Sequence, residues 1–237
     1  MQDTHQIPTG YKQTEVGVIP EGWEVKNIGS VCQIFGRIGF RGYTKEDIVK
    51  NNEGAISISP SNVLHGKINY DNCTYISWFK YEESPEIKIF DGDILFVKTG
   101  STVGKTTLVK DLPSKATINP QLIVLKKIKI DSYFLSYVLK HSIFQNQINN
   151  ILVGGAIPTL SQEQISRLKF QLPGENKERI SIGLFLSNTD ELIEKLEKLI
   201  AKKKAIKQGA MQELLTGKRR LPGFSEEWDE KKLGTMG

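Results

Sequence analysis

From Glu175 to Thr216 the chain runs for 42 residues without a proline, and nothing else in it restricts the possible folds as tightly. Positions 182, 185, 189, 192, 196, 199, 203, 206, 210 and 213 advance in alternating steps of three and four and hold Ile, Phe, Thr, Leu, Leu, Leu, Lys, Ile, Ala and Glu. Seven of these ten are apolar, which is the seam of a coiled coil interrupted by polar residues. As one helix the segment would span roughly 60 Å, far longer than a single small domain can cover. Gly209 near its end costs about 1 kcal/mol relative to alanine, which weakens the helix without stopping it. Such a helix calls for a partner helix, and a homodimer seam through Ile182, Phe185, Leu192, Leu196, Leu199, Ile206 and Ala210 is the expectation; the alternative is a helix folded back on its own domain.

The residues before the helix have a different texture. Short apolar runs such as "GAISISPSNV", "GKINYDNCTYIS", "EIKIFDGDILFVKTG" and "PQLIVLKKIKI" are separated by turn residues, which predicts strands. Residues 131–152 then place Phe134, Tyr137, Val138, Phe144 and Ile148 at helical spacing, with Asp131 or Ser132 as N-cap and Gly154-Gly155 as the stop. Ser161 and Gln164 form a capping-box pattern ahead of a short helix, followed by a closing strand "LKFQLP". The fold class expected is α+β, a mixed strand-rich domain followed by one long coiled-coil helix. The divisions fall at 1–172, 173–220 and 221–237.

The stretch "ILFVKTGSTVGKTTLV" (94–109) looks like a nucleotide-binding loop and is not one. Only three residues separate Gly100 from Gly104, whereas a phosphate-cradling loop needs four between its glycines. The residues after Lys105 are rich in β-branched side chains and broken by Pro113 and Pro120, so no helix N-terminus faces a phosphate. The stretch predicts a hairpin loop, "TGSTVGK", between two strands.

Charge is unevenly placed. Residues 195–220 carry nine Lys and Arg against two Glu, whereas 1–172 carry nineteen against sixteen, out of a total of +5. A basic balance admits a nucleic-acid partner, although a solvated basic helix would have the same composition. No apolar run approaches the length of about 18 residues that spans a membrane. The opening "MQDTHQIPTGYKQ" has no signal-peptide character. Cys32 and Cys73 lack metal-ligand spacing and read as small buried hydrophobes in a reducing cytoplasm.

One repeat organises these parts. "WDEKKLG" at 228–234 restates "WEVKNIG" at 23–29, so the chain's opening pattern begins again after the helix. With "YKQTEVGVIPEGWEVKNIG", "GDILFVKTGSTVGK", "GGAIPTLSQEQISRLKFQLP", "KERISIGLFLSNTDELI" and "MQELLTGKRRLPGF" in this order, the chain closely resembles the specificity (S) subunit of type I restriction–modification systems. Such subunits usually carry two target-recognition domains alternating with two helical spacers; this sequence has one of each, a half-length form.

The resemblance implies a chain without catalysis, which chooses a double-stranded DNA sequence. A methyltransferase (M) subunit docks on it and modifies adenine with S-adenosylmethionine, and an ATP- and Mg-dependent restriction (R) subunit can join; no cofactor is expected in this chain itself. The sequence agrees, since "INPQ" at 118–121 begins like an amino-methyltransferase motif and then departs from it. The recognition loop would then hold Lys98, Ser101, Thr102 and Lys105, able to bond or neutralise phosphates, or it is a plain hairpin with an exposed lysine. Arg37, Arg41 and Tyr43 in "FGRIGFRGYTKED" form a second candidate, as the guanidinium fork fits guanine or phosphate. Solvated loop arginines are the alternative there. Thr159 and Ser161 in "VGGAIPTLS" form a third, at a helix start suited to phosphate or to ordinary capping.

Two other readings predict different chemistry. Asp71 with Glu86-Ile87-Lys88 outlines a metal-dependent nuclease site loosely. A coiled-coil adaptor without DNA affinity would use only the helix.

Overall fold

A computed structural model of the 237-residue chain describes residues 7–64, 66–152, 158–229, 232 and 234. The chain forms two compact units, the first extending to Leu186 and the second beginning at Ser187. The first opens with a hairpin of β1 (Tyr11–Thr14) and β2 (Gly17–Pro20), then β3 (Trp23–Asn27), α1 (Ile28–Val31) and β4 (Gln33–Gly36). Next come the short strands β5 (Ile48–Val49), β6 (Ala55–Ile58), β7 (Val63–Leu64), β8 (Lys67–Ile68) and β9 (Thr74–Ile76). After α2 (Trp78–Glu82) come β10 (Lys88–Ile89), β11 (Ile94–Val97), β12 (Thr106–Leu108), β13 (Ala116–Ile118) and β14 (Leu122–Lys126). The helices α3 (Ser132–Lys140), α4 (Ser142–Ile151) and α5 (Gln162–Arg167) precede β15 (Lys169–Pro173) and the long α6 (Asn176–Leu214).

The central layer is a four-stranded sheet in the order β12-β11-β14-β4, beside a five-stranded sheet in the order β10-β13-β6-β9-β5. Successive residues of a strand point to opposite faces, and here both faces are covered. Ile94, Phe96, Ile123 and Leu125 pack with Ile28, Phe134, Leu139, Phe144 and Phe170 on the helical side. Leu95, Val97, Leu122 and Val124 pack with Ile56, Ile58, Ile89 and Ile118 of the other sheet. That is why "ILFV" and "LIVL" are continuous apolar runs instead of alternating ones.

Residues 131–152 form two helices, not the single one expected. Asp131 caps α3 as anticipated, its Oδ1 accepting from the Phe134 N–H at 2.7 Å. His141 is extended (φ −69°, ψ 146°) and breaks the run, its N–H closing α3 on the Tyr137 and Val138 carbonyls. Its Nδ1 then accepts from the Ile143 N–H at 3.3 Å and starts α4. The break lets Phe134, Leu135 and Leu139 of α3 and Phe144 and Ile148 of α4 enter one core. The expected stop at Gly154-Gly155 lies outside the described residues.

The first turns of α6 belong to the first unit. Gly183 allows the helix to approach α3, because a Cβ there would lie 2.5 Å from Asp131 Oδ1 and 2.8 Å from the Phe134 nitrogen. Its neighbour Ile182 is half-buried against the helical core. This seam position is therefore partly covered by its own domain.

In the second unit α6 continues with Leu192, Leu196, Leu199 and Ile206 about half exposed, at 49–57%. Ile193 and Ile200 are exposed beside them and widen the stripe. Polar flanks carry the helical pairs Glu191–Lys195 and Glu194–Lys198. The helix ends at Leu214, and Gly217 takes a left-handed φ of +71°. Beyond it the Arg220 guanidinium lies 5.5 Å from the centre of the Trp228 ring. The repeated heptapeptide thus begins on an exposed tryptophan, while part of it (230, 231 and 233) lies outside the described residues. Its first copy forms β3 and the start of α1, and Trp23 pairs with Pro173 of β15. Among the described residues no helix is long and apolar enough to cross a membrane.

Candidate nucleic-acid interface

The register of the central sheet lines up several chain ends in one row. Gly36, the last residue of β4, faces Ile123. Ile123 faces Phe96, and the neighbouring Leu122 faces Val97, the last residue of β11. Phe96 in turn faces Thr106, the first residue of β12. The loops leaving these strands therefore emerge along the same edge. In the adjoining sheet Ile58 ends β6 beside Ile118, and the Asn119 N–H donates to the Ile58 carbonyl at 2.8 Å. Loops 37–47, 59–62, 98–105 and 119–121 are brought to one end of the domain.

The β11–β12 connection is the hairpin loop expected from its sequence, entered and left by antiparallel strands. Gly100 (φ +105°) and Gly104 (φ +89°) adopt conformations that side chains resist. Turns close the loop from Val103 N–H to the Gly100 carbonyl at 3.2 Å and from Lys105 N–H to the Thr102 carbonyl at 3.1 Å. From beneath, Gln145 of α4 donates its Nε2 to the Gly104 carbonyl at 3.0 Å and also to that of Leu139 at 2.6 Å. A Cβ at Gly104 would approach Gln145 Oε1 to 2.9 Å. The loop is thus a braced platform. Ser101 and Lys105 are exposed on it, and Thr102 and Lys98 are half-buried.

Two segments picked separately from the sequence meet here. Thr99 and Thr159 form an antiparallel bridge, flanked by hydrogen bonds from Leu160 N–H to the Lys98 carbonyl (2.8 Å) and Gly100 N–H to the Pro158 carbonyl (3.0 Å). Ser161 caps α5, accepting from the Gln164 N–H at 3.1 Å while Gln164 Oε1 accepts from the Ser161 N–H at 2.9 Å. Its hydroxyl is therefore engaged in the capping box. Thr159 is exposed beside the hairpin loop.

The arginine loop divides into two roles. Arg37 is 5% exposed, with Nε donating to the Ile118 carbonyl (3.2 Å), Nη1 to that of Arg41 (3.2 Å) and Nη2 to Thr117 Oγ1 (3.3 Å). Burial lowers its pKa. Its expected place as a guanidinium fork for DNA is corrected accordingly: the side chain fastens the loop to β13 and is enclosed there. Tyr43 is half-buried next to it, its ring centre 5.4 Å from the Arg37 guanidinium carbon and its hydroxyl accepting from Ser57 Oγ at 3.1 Å. Arg41 remains half-exposed, with Nη1 donating to the Glu83 carbonyl at 3.3 Å and lying 3.7 Å from Glu86 Oε1.

The nuclease outline takes a different form. Glu86 faces Arg41, and Lys88 pairs with Glu82. Among the described residues no group of three or more His, Cys, Asp and Glu is arranged to hold a metal ion.

Sequence reading missed Asn119, Gln121, Ser59 and Gln162 at this edge. As a motif, "INPQ" suggests only an incomplete methyltransferase signature; Asn-Pro as a turn former between two predicted strands is the signal that points to this loop. Gln162 is visible only in three dimensions, where a Cβ on Gly36 would lie 2.9 Å from its Nε2.

A family model described as type I restriction modification DNA specificity domain matches residues 20–208. The type I restriction enzyme MjaVIII specificity subunit of Methanocaldococcus jannaschii is 27% identical over 220 residues, covering 91% of this chain and 50% of that protein. The chain spans about half the length of the curated relatives it matches. Among solved structures, one reported for complex assembly and conformational transition of the type I R-M system aligns with a TM-score of 0.59 at 16% identity, covering 82% of this chain and 46% of that one. The HsdS subunit from Thermoanaerobacter tengcongensis aligns with a TM-score of 0.56 at 15% identity, covering 86% and 47%. These two likenesses concern the fold.

Proposed function

The chain belongs to the type I restriction modification DNA specificity domain family, and we propose that it selects a double-stranded DNA sequence for a methyltransferase partner. The observation that carries this reading is the joining of the braced 98–105 loop to Pro158–Leu160 at one edge of the sheet. Arg41 and Lys105 lie on loops of that edge. Ser101 and Thr102 hydroxyls and the two cations address phosphates, while neighbouring amide side chains address base edges. No catalytic residue is assigned to this chain. S-adenosylmethionine, ATP and Mg belong to the methyltransferase and restriction subunits, and the complex works in the cytoplasm.

One recognition domain reads one half-site. The exposed stripe on α6 supports pairing with a second copy, which would supply the other half-site and create a two-fold axis. Two-fold protein symmetry is matched by inverted-repeat DNA, so the target is an interrupted palindrome bound by a homodimer. Sequencing the sites methylated by the assembled complex tests this. An inverted repeat with an unread spacer is expected, and an asymmetric bipartite site would overturn the homodimer.

A further inference from the structure

The turn 119–121 contains a hydrogen-bonded relay whose polarity can be deduced, and it ends on an exposed side chain. The Gln121 backbone N–H donates to Asn119 Oδ1 at 2.9 Å. A backbone N–H can only donate, so the Asn119 amide must turn its oxygen to it and its nitrogen away. That nitrogen, Nδ2, donates to Gln121 Oε1 at 3.3 Å, which fixes the Gln121 carboxamide in turn. Asn119 is half-buried and held at its own N–H by the Ile58 carbonyl, while Gln121 is exposed. The Gln121 carbonyl also accepts from Lys98 N–H at 2.9 Å, tying the turn to the recognition loop. Its Nε2 lies over Gly100, 3.7 Å from where a Cβ would stand.

We infer that Gln121 is a base-reading residue, with Asn119 as its positioning residue. The inference rests on the DNA-specificity reading. One lone pair of Oε1 is used by Asn119; the other lone pair and the two Nε2 hydrogens remain for a ligand. An acceptor next to a donor, in one plane, is the pattern that meets adenine N6–H and N7 in the major groove. A glutamine on a flexible loop could present either edge; here the relay selects one before binding. The base matched by this acceptor–donor pair is adenine, the relay fixes the side from which it is met, and the contact supplies discrimination rather than non-specific affinity.

The test is selection of the full chain against a randomised duplex library at low salt, followed by sequencing, for wild type, Gln121→Ala and Asn119→Asp. The alanine variant keeps the backbone N–H that Asn119 needs, and its melting temperature should stay at the wild-type value. A good bidentate contact discriminates by about 5- to 150-fold. Gln121→Ala should therefore lose adenine preference at one position of the half-site, by about tenfold, while the other positions are kept. Asn119→Asp removes the Nδ2 donor, puts a second acceptor against Gln121 and turns its carboxamide round, so it should weaken the same position and no other. A wild-type chain that enriches no motif would overturn the DNA reading itself. A wild-type motif left unchanged by Gln121→Ala would overturn this inference alone, and an unchanged position in Asn119→Asp would remove Asn119 from the mechanism.

Discussion

Gln145 reaches from α4 to the carbonyl of Gly104 at 3.0 Å, so the tip of the recognition hairpin is held by a helix about forty residues further along the chain. The same Nε2 bonds the Leu139 carbonyl, and one carboxamide therefore ties the loop to the end of α3. Gln145→Ala leaves both carbonyls without this donor, at about 1–3 kcal/mol by the usual cost of a lost partner. Urea unfolding should show that loss. Gly104→Ala should cost a comparable amount, because φ +89° is strained for alanine and its Cβ would crowd Gln145 Oε1.

The two arginines of loop 37–47 should separate cleanly. Arg37→Ala strips donors from the Ile118 and Arg41 carbonyls, and destabilisation of about 2–4 kcal/mol is expected. Lysine cannot reproduce the three-way fork, so Arg37→Lys should restore little of it. Lys105→Ala should instead leave stability within about 0.5 kcal/mol, Arg41→Ala should cost about 1 kcal/mol through its bond to the Glu83 carbonyl, and both should weaken DNA binding. Each should lower the slope of log K against log salt by about 0.9 if it removes one phosphate contact. Equal salt slopes in wild type and both variants would take these side chains out of the interface.

How much of this is legible in the sequence differs by element. The hairpin at 98–105, the capping box at Ser161 and the long helix obey local rules: turn glycines, cap spacing and apolar period. Each depends on residues a few positions apart, and each is present. The break at His141 is not legible, because the apolar spacing of 131–152 suits a helix throughout and only packing of both halves into one core makes the kink favourable. Arg37 and Ile182 escape for a related reason. An arginine in a glycine-rich loop and an isoleucine at a seam position carry no local mark of burial; the Ile118 carbonyl and the α3 core that receive them come from distant parts of the chain.

Cysteine reactivity provides a check on the packing of the first unit. Burial pushes the Cys32 thiol up to about 12, and that of half-buried Cys73 to about 11. At pH 8 the Cys32 thiolate is therefore scarcely populated, and its sulfur is enclosed. Ellman's reagent should label Cys73 first and Cys32 only as the domain unfolds. Rapid labelling of both thiols in the native protein would contradict the burial of α1 against the sheet.

The stripe on α6 leads to a prediction about assembly. Leu196 and Leu199 are each 49% exposed in the single chain, so replacing both by Asp should hardly affect the folded monomer. In a helix pair the same change buries two charges in the seam, a cost of several kcal/mol. Light scattering should report a dimer for wild type and a monomer for the double variant, with matching thermal unfolding of the recognition domain. A dimer that survives the substitutions places the contact elsewhere.

If α6 pairs antiparallel with a second copy, the recognition domains stand at opposite ends of the pair and the helix sets the distance between half-sites. Residues 196–202 make up one heptad. Their removal moves Lys203 into the place of Leu196 and Ile206 into that of Leu199, which keeps the period of the seam. Seven residues shorten the helix by about 10 Å. An α-helix departs from a strict seven-residue repeat by only about 20° per heptad, so the facing surfaces stay nearly in phase. Ten ångströms correspond to roughly 3 bp at 3.4 Å each. The recognition loops are untouched, so methylation mapping of the deletion variant should return the same half-site sequence on both arms with a spacer shorter by about that amount. A spacer of unchanged length would mean that something other than α6 separates the two half-sites.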